Sequence, residues 1–172
     1  TRKPLVVTVH DIGPLTHPEF FTNTSPWVME KSLKRASAKA DAFICVSQST
    51  ADELDVYTKG ALKSRIHVVY EGVSQRFFEA VDASILDSLS KRPEPGVPYL
   101  LATGKISPRK NVLRIVQALS KLVEKIPHHL VLVGGSGWEM NQVLKEVQKP
   151  AVADRIHMVG YVDEDQLRAL YA

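Results

Sequence analysis

Short apolar runs, most of them rich in β-branched residues, recur along this chain, and helical stretches separate them. The runs are 5–10 (LVVTVH), 42–46 (AFICV), 66–70 (IHVVY), 99–103, 130–133 and 156–159. Continuous apolar runs of this length suit strands buried on both faces, as in parallel sheets. Helices are expected over 25–40, over 48–57 behind Ser47 as N-cap, and over 111–125. In the last, Val112, Ile115, Val116, Leu119, Leu122 and Val123 fall at three-and-four spacing. A further helix should run from Gly137 to about 148. Another should run from Asp163 to the final residue, with Gln166 placed to complete a capping box. The alternation predicts an α/β chain of parallel strands, right-handed crossovers and helices on both faces.

The stretch 81–98 differs. Pro93, Pro95, Gly96 and Pro98 cluster there with charges, after a short helical pattern over 83–90. It reads as a linker region between a first unit, 1–80, and a second, 99–172. Each unit holds about half the strands of a doubly wound sheet. The chain also opens in a buried strand and stops on a helix, so it reads as parts of two Rossmann-like domains, truncated at both ends. The alternative is a single six-stranded domain with a long middle connection.

Composition narrows the classes. With 44% hydrophobic and 24% charged residues in 172, the chain is neither disordered nor collagen-like. Its 22 basic and 19 acidic residues net only +3, far from the dense footprint of a nucleic-acid binder. No apolar run nears the ~18 residues of a membrane span, and no secretory leader opens the sequence. The one cysteine, Cys45, sits in an apolar run and suits a reducing compartment.

In open α/β sheets ligands bind beyond the carboxyl ends of the strands. Here those ends carry His10-Asp11, Ser47, Tyr70-Glu71-Gly72, Gly104-Lys105, Gly134-Gly135 and Gly160-Tyr161. The loop after 103 is the best clue: Gly104 permits close backbone approach, and Lys105 and Lys110 can converge on one anion. Asn111 opens a helix whose N-terminus adds about half a positive charge. The plainer reading is a solvated basic turn with an Asn helix cap. Gly134-Gly135-Ser136-Gly137 can cradle a phosphate or simply make a tight turn. Met140 breaks the GxGxxG pattern, and no Walker A loop occurs.

Other candidates have bland explanations. His10 can bond a sugar hydroxyl or be a satisfied strand-end histidine. Ser47 lacks a nucleophile elbow and reads as a cap. His128-His129 and Asp163-Glu164-Asp165 lack metal-ligand spacing, so no metal is assigned. Lys31, Arg35 and Lys39 form a basic stripe that is either a solvated face or a contact to an anionic membrane or acceptor. Asn23-Thr24-Ser25 matches a glycosylation acceptor only formally.

Several segments, in order, resemble the group 1 retaining glycosyltransferases (family 4), their mannosyltransferase-like members above all. These are VTVHD (7–11), AFICVS (42–47), IHVVYEGV (66–73), Gly104-Lys105 through Pro108-Arg109-Lys110-Asn111, LVLVG (130–134) and VGYV (159–162). The resemblance covers essentially the whole chain. It implies the B-type architecture of two Rossmann-like domains facing across a cleft, the first handling the acceptor and the second the nucleotide-diphosphate sugar donor. It implies that His10 is the catalytic residue near the transferred sugar, with Asp11, Glu71 and Gly72 at the cleft. Lys105, where many members carry Arg, and Lys110 would grip the donor diphosphate beside Gly104. The change to Lys replaces a bidentate fork with a point charge. Glu71 stands where Asn is frequent. Gly134, Tyr161 and Val162 would border the nucleoside, largely through backbone.

The implied reaction transfers a hexose, mannose among the candidates, to a glycan or glycolipid, with no cofactor and no metal. The implied setting is cytoplasmic, at the inner face of a membrane with which the protein associates peripherally, and no nucleic-acid partner is expected. Two family features are not found: a glycine-rich loop would precede Thr1, and paired glutamates would follow Ala172. The expectation is an internal fragment, inactive alone. The rival functions are a non-catalytic nucleotide- or sugar-phosphate-binding module and a plain α/β interaction domain.

Overall fold

The computed structural model describes residues 3–21, 26–89, 91–137 and 140–172. The formal Asn23-Thr24-Ser25 acceptor, and with it the start of the helix expected over 25–40, lies outside the described residues. The chain forms two compact units, Thr1–Val73 and Ser74–Ala172.

In the first unit β1 (Val6–Val9), β2 (Ala42–Cys45) and β3 (Ile66–Val68) form a parallel sheet in that order, with Val9 opposite Cys45 and Cys45 opposite Val68. A short α1 (Gly13–Thr16) follows β1, while α2 (Pro26–Lys39) and α3 (Gln48–Tyr57) make the crossovers. Alternate strand residues Val7, Val9, Phe43, Cys45, Ile66 and Val68 pack with Leu33, Ala51, Leu54 and Leu62. Phe43 is fully buried, which is worth roughly 1.5–3 kcal/mol. Of the other alternates, Val6, Thr8 and His67 are exposed and Ala42 and Ile44 half-buried. Helices on both faces were expected; among the described residues this unit has them on one. The reason is topological: two right-handed crossovers taken in the same direction leave both helices on the same side.

The second unit has helices on both faces. Its sheet is β4 (Tyr99–Thr103), β5 (His129–Val133) and β6 (Ile156–Gly160), again parallel and in order. Leu130 and Leu132 face α4 (Val112–Ser120) and α5 (Met140–Val147), whereas Val131 and Val133 face Leu170 of α6 (Glu164–Tyr171) and Leu89. Burial of four successive β5 residues explains its unbroken apolar run.

Two expected helices change, those over 83–90 and 111–125, and packing sets where the two units divide. The units divide at Val73/Ser74, and the first part of the expected 81–98 linker is packed into the second unit. There Leu89 is buried, and Arg76 reaches Glu164 and Asp165 at 3.0 and 2.8 Å. The helix expected over 83–90 is a run of 3-10 turns, Ala83–Ser88, capped by the Asp82 carboxylate accepting from the Ser84 N–H. The α4 helix stops at Ser120, five residues early. The Ser120 hydroxyl donates back to the Val116 carbonyl, the next turns tighten, and Leu122 is left exposed.

The caps expected at Ser47 and Asp163 form. The Ser47 hydroxyl accepts from the Thr50 N–H at 3.1 Å, and Asp163 and Gln166 form a full capping box. At the opposite pole of each sheet an arginine does an equivalent job. Arg65, entering β3, donates to the Ser37 and Ala40 carbonyls at the end of α2. Arg155, entering β6, donates to Val123, Ile126 and His128 in the turns after α4.

His129, at the start of β5, and His157, the second residue of β6, stack with ring nitrogens 2.8 Å apart, although Val131 is the register partner of His157. Burial, helped by Arg155 for His129 and by His129 for His157, holds both below the ordinary histidine range. The unfolded chain takes up protons near 6.5 while the folded pair resists them, so the pair's contribution to stability is present above about pH 6.5 and declines as the pH falls below it. Urea unfolding between about pH 7.5 and about pH 5 should show this fall, and His157→Gln should flatten it.

Candidate functional site

In the second unit the strand exits are laced together by backbone bonds. The Gly104 N–H donates to the Val133 carbonyl at 2.8 Å, Gly134 to Gly160 at 2.7 Å, and Ile106 to Gly135 at 3.2 Å. A register shift after Leu132 sets Val133 opposite Gly160, where the sheet stops pairing regularly. Gly134 has φ +134°, and a side chain there would run into the Gly104 carbonyl. One at Gly137 would meet the carbonyl of Ile106, whereas Gly135 faces open space. Close loop-to-loop packing therefore accounts for the first and last glycines of Gly134-Gly135-Ser136-Gly137, but not for Gly135.

Against these loops lies a cavity of about 520 Å³, lined by Thr103, Gly104, Gly134, Gly135 and Tyr161 over an apolar floor that includes Met158. That is the size range of small-ligand sites. The Lys110 stem folds over Gly104: its Cε and Nζ lie 3.0 and 3.6 Å from where a Gly104 side chain would begin. Lys105 is exposed, and its Cγ lies 3.4 Å from the equivalent point on Gly137. Both lysines thus belong to the turns beside the cavity rather than to its lining. Tyr161 is 87% exposed, while Val162 is buried with Val131, Val133 and Leu170, so only its backbone is available to a ligand.

Asn111 does not act as the expected cap. A 3-10 turn, Pro108–Lys110, precedes α4; Asn111 then takes left-handed backbone, φ 54°, and its side chain makes no capping bond. Asparagine tolerates that conformation better than most residues.

In the first unit His10 and Glu71 meet at the sheet's carboxyl pole, Nδ1 to Oε1 at 3.1 Å, both largely exposed. Asp11 turns away into local structure, its Oδ1 accepting from the Gly13 N–H at 3.1 Å at the start of α1. Gly72 is exposed, with open space about it. A second cavity, about 360 Å³, runs between β1 and α2 and is lined by His10, Asp11, Met29 and Leu33.

The sequence reading missed Thr50. Its buried hydroxyl donates to the His10 carbonyl at 3.1 Å and lies 2.9 Å from the Ser47 hydroxyl, fixing the end of β1 to the start of α3. The signal was the second hydroxyl three residues after the cap. It also missed Met140 and Met158, core-type residues that line the larger cavity. Nothing in their spacing distinguishes them from ordinary core.

Comparison with known proteins adds the following. The model described as "Glycosyltransferase Family 4" matches residues 1–76, and "Glycosyl transferases group 1" matches residues 87–172. The chain is 29% identical over 169 residues to O-antigen chain mannosyltransferase B of Escherichia coli, covering 97% of this chain and 44% of that protein. It is 25% identical over 175 residues to glycogen synthase of Mycobacterium tuberculosis, covering 97% of this chain and 38% of that protein. The crystal structure of Anabaena Alr3699/HepE in complex with UDP and glucose superposes with a TM-score of 0.71 at 20% identity, over 98% of this chain and 44% of that one. That likeness shows the fold. The chain spans under half the length of these relatives.

Proposed function

Because the chain belongs to the group 1 glycosyl transferases, we propose that the protein is a retaining enzyme moving a hexose, mannose in the favoured case, from a nucleotide-diphosphate sugar to a glycan or glycolipid. The observation that carries this reading is the cavity at the ends of β4, β5 and β6, with the Lys110 amine folded over Gly104 beside it. The mannosyltransferase relative and the UDP and glucose in the Anabaena structure support the donor class.

In this reading the second unit holds the donor. Lys105 and Lys110 meet the diphosphate, the backbone of Gly134 and the Tyr161–Val162 exit border the nucleoside, and no metal is required. As the sugar C1–O bond to phosphate breaks, the sugar becomes oxocarbenium-like and negative charge grows on the leaving diphosphate. Fixed ammonium groups stabilise that charge more than the ground state. The acceptor oxygen attacks from the face the phosphate leaves, and the departing phosphate takes its proton, so the anomeric configuration is retained. The first unit handles the acceptor. His10, whose Nδ1 lies 3.1 Å from Glu71, keeps Nε2 for the role this reading gives it at the transferred sugar. Asp11 and Gly72 border the same pole. Because nucleotide sugars are cytosolic, the reading puts the protein in the cytoplasm, at the inner face of a membrane that carries the acceptor. Among the described residues no helix is long and apolar enough to cross that membrane.

The test is turnover in the full-length protein with a panel of nucleotide-hexoses, the product anomer being read by NMR. His10→Ala should lower the rate roughly 10²-fold while leaving nucleotide binding intact. Nucleotide binding without any turnover would instead favour a non-catalytic binding module. An inverted product would rule out retention.

A further inference from the structure

We propose that the outer face of α2, from Trp27 to Lys39, docks on a bilayer containing anionic phospholipid. The inner side of this helix packs Leu33 and Ala36 on the sheet. The outer side carries Trp27, Lys31, Arg35 and Lys39 at intervals of four, a single helical face. Trp27 is 62% exposed and Val28 53%, and the Lys31 amine sits 4.7 Å from the Trp27 ring centre.

Charge is concentrated here. This face and the groove beside it are lined by Lys31, Lys34, Arg35, Lys39, Lys59 and Arg65 and by Glu30, which pairs with Lys34 at 2.8 Å, while Arg65 donates to the Ser37 and Ala40 carbonyls. The whole chain nets only +3, so the remainder of the molecule is net negative. A soluble acidic polymer would need only the charge. Two apolar side chains bared at one end of a basic stripe match a headgroup boundary instead: indole and valine enter it while lysine and arginine stems reach the phosphates. The helix also begins at the sheet pole where His10 lies, and its Met29 shares a cavity with His10. Docking through Trp27 would bring that pole to the membrane. The inference deepens the proposed function by assigning the surface on which a lipid-borne acceptor is met. It rests on that reading for the acceptor but not for the binding itself.

The experiment is co-sedimentation of the full-length protein with vesicles of phosphatidylcholine alone or mixed with phosphatidylglycerol. Binding should require phosphatidylglycerol. Lys31→Glu with Arg35→Glu should weaken it about tenfold or more. Trp27→Ala should weaken it too and remove a lipid-dependent shift in tryptophan emission. Titration of each variant with UDP and GDP should match the parent, so loss of docking and loss of the donor site are read separately. Equal binding to both vesicles, no binding, or indifference to the charge reversals would overturn the proposal. So would retained binding by Trp27→Ala together with equally tight binding to heparin, which would point to an acidic polymer.

Discussion

Lys110→Glu should weaken UDP or GDP binding at least about a hundredfold, measured by calorimetry. A charge-assisted bond to phosphate is worth roughly 1.5–3 kcal/mol, and the substitution also sets a repelling carboxylate over Gly104. Adding Lys105→Glu should take binding below detection. Lys110→Arg, which keeps the charge, should retain most of it. Both lysines are exposed, so unfolding free energy should move by no more than about 0.5 kcal/mol. Undiminished affinity in the double variant would remove the diphosphate from this loop and leave the cavity without its proposed ligand.

Gly134→Ala should be strongly damaging to the second unit. The residue sits at φ +134°, where side chains are strained, and the new methyl would meet the Gly104 carbonyl. Relief requires separating the loops after β4 and β5, which would break the Gly104 bond to Val133 and distort the cavity at once. The expected loss is about 3 kcal/mol or more, a large share of the ~5–15 kcal/mol available to a domain. Gly135→Ala is the control: a methyl there meets open space, so urea unfolding should change by no more than about 0.5 kcal/mol. Nucleotide binding by that control reports whether Gly135 serves the ligand instead of the fold. Equal stability of the two variants would contradict the packing account.

Features built from neighbouring residues were legible in the sequence. The strand–helix alternation, the Ser47 cap and the Asp163–Gln166 box each need only a few consecutive side chains, and all three stand in the structure. The group 1 membership was legible too, because its segments occur in order along the chain. What was not legible depends on partners far apart. Glu71 meets His10 across 61 positions, Thr50 reaches the His10 carbonyl across 40, and His129 meets His157 across 28. Where the contacts divide the two units depends on distant partners as well. Prolines after 92 advertise an irregular chain, but Leu89 and Arg76 bind the preceding segment to the second unit through contacts no local pattern displays. Helix length failed at Ser120 because apolar periodicity continues through Val123, while the backbone after Ser120 changes to tighter turns.

The paired arginines at the far poles have a consequence for how such a protein can diversify. Arg65 and Arg155 each open an Arg-Ile-His triplet, and each ties a strand's entry to the carbonyls that close an earlier helix. Each half is thereby fastened at its base by its own rivet, remote from the loops at the carboxyl ends of its strands. Loop sequence at that opposite end can drift while the foundations of each half hold fast. A planar guanidinium spanning two or three carbonyls is a fastening that lysine, with a single point of charge, would not reproduce.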